Sequence, residues 1–138
     1  MVSIAGSHST RVLLRWRDFD LLGHVYHAVL VELLDQARVE WMRRNVFHGA
    51  DRHYVVARLE INYLAEIALG VPHVEVVTQL GRVGRSSLDL LATVRSPSGA
   101  TVARCESTVV LWDEDRRASR VLSRSERHAA LAFGVLAT

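Results

Sequence analysis

Two aspartates, a Gly-His and a Tyr-His fall within ten residues of the chain, in DFDLLGHVYH (18–27). The segment Asp20-Leu21-Leu22-Gly23 has Asp first and Gly fourth, as a type I turn prefers, so a purely structural account of Asp20 exists. Asp18 reads in the same way, as a strand-end or turn residue. What adds chemistry is the helix predicted to begin within residues 24–28. Backbone N–H groups at such a start, here around Val25 and Tyr26, lack intrahelical acceptors and carry partial positive charge that can hold an oxyanion. A carboxylate and an oxyanion site within one turn of each other suit acyl transfer. The amides would polarise a thioester carbonyl while the carboxylate of Asp20 attacks it or activates water.

His24 and His27 add imidazoles able to donate a hydrogen bond or shuttle a proton near neutral pH, although His24 reads first as an ordinary helix-start residue. A metal centre is disfavoured, because the chain has no HExxH, no CxxC and no i, i+4 histidine pair on a helix. The nucleophile elbow G-x-S-x-G, the phosphate loop G-x-x-x-x-G-K-[ST] and a G-x-G-x-x-G between strand and helix are also missing from the sequence. Serine hydrolase, nucleoside-triphosphatase and dinucleotide-binding readings therefore lack support, and no cofactor is expected.

The elements that must position these residues follow from periodicity. RVLLRWR (11–17) reads as a first strand. From His27 to Arg44, Leu30, Leu33, Leu34, Ala37 and Trp41 recur at helical spacing, with Glu32, Asp35, Gln36, Arg43 and Arg44 free to face water. Asn45 and Gly49 mark the helix end. In YVVARLEINYL (54–64), period 2 places Val55, Ala57, Leu59, Ile61 and Tyr63 on one face and Arg58, Glu60 and Asn62 on the other. Similar alternation predicts strands at 73–81, 86–96 and 101–113, with SPSGA as a hairpin turn. Ser123 and Glu126 have the spacing of a capping box ahead of a short closing helix. Strand, long helix, four consecutive strands and a helical tail predict an α+β fold of hot-dog type, a curved antiparallel meander wrapped around one helix. Its open edges and second apolar face predict a homodimer or homotetramer.

Length and composition bound the possibilities. The 138 residues suit one domain spanning 1–138, and 49% hydrophobic with 23% charged residues is ordinary globular usage. No apolar run reaches the roughly 18–20 residues of a membrane span, and MVSIAGSHST lacks a secretory pattern, so a cytoplasmic location is expected. Cys105, the single cysteine, reads as a small core residue. All 17 basic residues are arginine, but they form no run interleaved with aromatics, so nucleic acid is not an expected partner.

With D-x-D-x-x-G-H-V-Y-H at 18–27 and A-R-V-E-W at 37–41, the chain resembles the acyl-CoA thioesterases of the 4-hydroxybenzoyl-CoA thioesterase family. LEINYLAEIALG (59–70) and GRSSLDLLATV (84–94) extend that likeness over nearly the whole length. The resemblance implies acyl-CoA hydrolysis, with Asp20 as the catalytic carboxylate. It also implies that His27 is the assisting histidine of the branch found near Tol-Pal clusters. Trp16 stands where that branch commonly has a tyrosine. Arg58, Arg82, Arg85, Ser86 and Ser87 become candidates for binding the phosphates of coenzyme A, consistent with arginine's forked geometry. An acyl-carrier-protein thioesterase and a non-catalytic acyl-binding protein are the alternative readings.

Overall fold

The computed structural model describes residues 6–50 and 52–136. Residues 1–5, half of the segment in which no secretory pattern was read, lie outside it. In chain order the elements are β1 (Ser7–Leu13), a 3-10 turn (Trp16–Asp18), α1 (His27–Asn45), β2 (His53–Tyr63), β3 (His73–Val83), β4 (Ser87–Arg95), β5 (Thr101–Asp113), β6 (Ala118–Ser119) and α2 (Arg124–Phe133). The strands form one antiparallel sheet in the order β1-β3-β4-β5-β2, with β6 beside β5. One long helix with an antiparallel sheet fits the α+β hot-dog expectation. No helix among the described residues is long and apolar enough to cross a membrane.

The helix α1 occupies its predicted span because its apolar stripe is continuous: Leu30, Leu33, Leu34, Ala37 and Trp41 are all buried. Its first half packs with Val12, Val74, Val94 and Cys105, and its second half with Leu80, Leu88, Val109 and Leu111. Burying each such leucine or valine is worth roughly 1.5–3 kcal/mol, so α1 is held by the sheet more than by its own propensity. Cys105 is a core residue, as its context implied, and burial is the main influence raising its thiol above the ordinary value.

Three features depart from the sequence reading. The first strand ends at Leu13, and Trp16–Asp18 turn instead of extending it, because the buried Asp18 carboxylate accepts from the Arg15 backbone N–H and guanidinium. Secondly, β2 does not keep one alternation. Its register against β5 shifts between Val56 and Arg58, leaving Ala57 as the extra residue of a bulge. Val56 therefore opposes the buried Val109, while beyond the bulge Leu59, Ile61 and Tyr63 oppose Ser107, Cys105 and Ala103, which are also buried. Val55 opposes Val110 on the other face. Thirdly, β2 pairs with β5 and not with its successor β3, so only β3, β4 and β5 form a meander. The connection from β2 to β3 crosses the sheet end, and that crossing builds the site.

Candidate active site

The turn at 20–23 is closed by two backbone hydrogen bonds: the Asp20 N–H donates to His24 O at 2.9 Å, and the Gly23 N–H donates to Asp20 O at 3.1 Å. Gly23 has φ of +80°, a conformation that costs an L side chain on the order of 1 kcal/mol or more. The Asp20 side chain folds back, with Oδ1 accepting the Leu22 N–H at 2.9 Å and Oδ2 lying 3.4 Å from His24 Nδ1. The crossing connection then clamps the turn from outside. Val25 N–H donates to Ile67 O at 2.9 Å, Leu69 N–H donates to Gly23 O at 2.8 Å, and His24 bridges Ala68.

Those bonds correct the place of the free amides. The Val25 amide is taken by Ile67 and the Tyr26 amide by Asp18 O at 3.1 Å. The helix begins at His27, and the capping residue Tyr26 offers no side-chain hydrogen bond. The unsatisfied N–H groups at the head of α1 are therefore those of His27 and Ala28, for which the described residues supply no acceptor. They carry the helix's positive end and face no acidic side chain in the first turn.

Beside this head lies a cleft of about 340 Å³, lined by His24, Val25, His27, Leu30, Tyr63 and Val102 among others. Asp20 is not part of its lining. Tyr63 at the end of β2 donates its hydroxyl to His27 O at 2.8 Å, and its ring stands edge-on to the His27 imidazole at 6.4 Å. Burial raises the Tyr63 hydroxyl above its ordinary value, so it stays a donor. The sequence reading placed Tyr63 on one face of a strand and missed this contact. Its contact with His27 spans 36 positions, and no local pattern announces it. Trp16, in the place of the branch's tyrosine, is 82% exposed.

Asp18 is buried and serves structure. Burial pushes its carboxyl up, but the hydrogen bonds and charge of Arg15 outweigh this and hold it below the ordinary value of 3.8. The candidate phosphate residues separate into two groups. Arg58 and Arg82 share a second, larger cleft of about 720 Å³ with Asp89, Glu106 and Leu131. Arg58 is paired there with Glu60 and Glu106, whereas exposed Arg82 has no carboxylate partner among the described residues. Arg85, Ser86 and Ser87 lie outside that cleft; Arg85 and Ser86 are in the β3–β4 turn, where their carbonyls accept from Leu122 and Leu111, and Ser87 is the first residue of β4. Among the described residues no group of three or more His, Cys, Asp or Glu side chains is placed to hold a metal ion.

The family model of the thioesterase-like superfamily matches residues 14–130. No curated protein matches the chain. Among solved structures, the chain is similar to a thioesterase of Thermus thermophilus crystallised with coenzyme A and Zn, at 32% identity over 91% of this chain and 92% of that one, with a TM-score of 0.78. It is 28% identical to the PA2801 protein of Pseudomonas aeruginosa, over 88% and 96% of the two chains, with a TM-score of 0.77. The SAV2348 protein of Staphylococcus aureus, solved in complex with CoA, is 14% identical over 100% and 89% with a TM-score of 0.81, a likeness of fold alone. With a family model spanning most of its length and a thioesterase nearly a third identical across nine tenths of both chains, the chain belongs to the thioesterase-like superfamily.

Proposed function

We propose that this protein is an acyl-CoA thioesterase of the 4-hydroxybenzoyl-CoA thioesterase type, hydrolysing an acyl-CoA to free acid and CoA. The observation that carries this reading is the meeting of the Asp20–Gly23 turn, the open amides of His27 and Ala28 and a partly apolar cleft at one end of α1. The amides stabilise the negative charge that develops on the thioester oxygen, and Asp20 supplies the carboxylate that drives attack, as nucleophile or as proton acceptor. His27 borders the same cleft, which supports its assisting role in the Tol-Pal-associated branch. Membership of the superfamily and the coenzyme A complex of the Thermus relative support the substrate class. Arg82, which has no carboxylate ion pair among the described residues, is the favoured phosphate ligand in this reading; Arg58, paired with Glu60 and Glu106, is second.

The functional unit in this proposal is a homodimer or homotetramer, with the sheet wrapped around α1. Strand β2 pairs on one side only, and its Val56 and Leu59, 39–40% exposed, line a groove with the exposed Val31 of α1. The test is release of free thiol, followed with Ellman's reagent, from a panel of acyl-CoAs and matching acyl-pantetheines. Arg82→Ala is expected to raise KM for acyl-CoA about 10-fold or more while leaving the pantetheine thioester little changed, since a charge-assisted hydrogen bond is worth roughly 1.5–3 kcal/mol. Equal effects on both substrates remove Arg82 from the site. Turnover confined to carrier-protein thioesters, or binding without turnover, replaces the acyl-CoA reading.

A further inference from the structure

Both free amides at the head of α1 belong to peptide units whose carbonyls are already engaged. The His27 N–H shares its peptide with Tyr26 O, which accepts from the Val29 N–H at 2.9 Å. The Ala28 N–H shares its peptide with His27 O, and that oxygen accepts the Tyr63 hydroxyl at 2.8 Å. Resting on the thioesterase reading above, we infer that Tyr63 is a positioning residue of the oxyanion site: its bond to the His27 carbonyl polarises the 27–28 peptide and holds the Ala28 N–H toward the thioester oxygen.

A helix offers a first-turn carbonyl one donor, the amide four residues on, and a carbonyl oxygen has a second lone pair for another. A donor on the oxygen of a peptide draws electron density from its nitrogen, which makes the N–H of the same unit a stronger donor. Such cooperative strengthening is roughly 10–30% per bond. The effect falls on Ala28, because its N–H is the one in the peptide that Tyr63 reaches. Nothing else reinforces this head: Tyr26 makes no side-chain cap bond and the first turn has no acidic residue. Tyr63 can supply the bond because it is anchored. It is the last residue of β2, opposite the buried Ala103, and the two amides after it, Leu64 and Ala65, donate to Val102 O at 2.9 and 3.1 Å. A hydroxyl carried by a paired strand is held more precisely than one on a loop. The Tyr63 ring lines the same cleft as His27 and stands edge-on to its imidazole.

No proton passes through Tyr63 in this scheme. As negative charge grows on the thioester oxygen, the Ala28 N–H takes up part of it, and the Tyr63 bond at the other end of the peptide strengthens with it. The interaction is therefore larger in the transition state than with bound substrate, so its loss appears in kcat and not in KM.

The experiment compares wild type, Tyr63→Phe and Tyr63→Leu by thiol release from hexanoyl-CoA and benzoyl-CoA, with Tm recorded for each. Tyr63→Phe keeps the ring against His27 and removes only the hydroxyl. Deleting an oxyanion donor outright costs ~100- to 1,000-fold. Tyr63 reinforces a donor and replaces none, so Tyr63→Phe is expected to lower kcat by about 5- to 20-fold with KM within about 2-fold of wild type. Tyr63→Leu also removes part of the cleft wall and is expected to raise KM as well. A second readout is the infrared carbonyl stretch of the bound ketone analogue of benzoyl-CoA, in which CH2 replaces the thioester sulfur. It is expected at higher frequency on Tyr63→Phe than on wild type, because the weakened amide polarises the carbonyl less. A lowered Tm at unchanged kcat in Tyr63→Phe makes the hydroxyl a strand tether, and a raised KM at unchanged kcat makes it a substrate contact. Either result, or an equal stretch on the two proteins, overturns the inference while leaving the thioesterase reading standing. A wild type that turns over none of the acyl thioesters overturns that reading itself, and this inference with it.

Discussion

Asp18 and Asp20 are two positions apart and chemically identical, yet their surroundings separate them. Asp18 is 1% exposed and held by Arg15, while Asp20 sits half-buried against an imidazole. Asp18→Asn is expected to reduce stability by about 1.5–3 kcal/mol, because it puts an amide where the Arg15 guanidinium requires an anion, while kcat per folded molecule stays within a few-fold of wild type. Thermal melting alongside thiol release checks this; collapse of kcat at unchanged Tm would give Asp18 the role proposed for Asp20. The motif spacing located both residues and the type of turn between them. What it could not reveal was which carboxylate meets the arginine, since Arg15 reads from sequence as one exposed strand residue among several. The free amides were misplaced by two residues for a similar reason. Val25 and Tyr26 are capped by Ile67 and Asp18, and the Ile67 partner comes from a distant segment.

Elements governed by local periodicity were legible, and those governed by partners were not. Helix α1 begins within the predicted range, and α2 begins directly after Ser123, the first residue of the predicted capping box, in which the Ser123 hydroxyl accepts the Glu126 N–H and the Glu126 carboxylate accepts the Ser123 N–H. The spacing gave no sign that Glu126 is buried and clamped by Arg120 through contacts of 2.7 and 2.8 Å. Burial alone would raise the Glu126 carboxyl, but the Arg120 bonds and the Ser123 amide reverse that and hold it below 4.5. A depressed folded-state value means that this contribution is complete above about pH 4.5 and is lost as pH falls through the folded-state value. Glu126→Gln is accordingly expected to lower stability by about 1.5–3 kcal/mol at pH 7, with the difference from wild type shrinking on acidification. Melting curves from pH 7 to pH 3 check it; a constant gap across that range would show that the charge contributes nothing. The bulge at Ala57 had no signal of its own, because Val55 and Val56 are both apolar and either can face inward.

For the whole molecule, the crossing of the β2–β3 connection is the decisive feature, since it places β2 at the sheet edge and seats residues 67–69 on the segment at 23–25 that leads from the Asp20–Gly23 turn into α1. Pairing order depends on contacts distant in sequence, which strand periodicity does not encode. The exposed edge leads to the assembly expectation: the wild type at micromolar concentration should have the mass of a dimer or tetramer by light scattering. Leu59→Arg, which puts a charge into the groove that Val56 and Leu59 of β2 line with Val31 of α1, should shift it toward monomer; a monomeric wild type would remove the proposed assembly. The central claim is that the turn before α1 is a thioesterase active site that depends on the Asp20 carboxylate. Its most direct test is single-site replacement by Asn, which retains the local hydrogen bonds of the turn and removes only the charge. For Asp20→Asn, thiol release from the acyl-CoA that the wild type prefers is expected to fall by ~100- to 10,000-fold or more at unchanged Tm. Turnover within a few-fold of wild type would make Asp20 a structural turn residue and contradict the account.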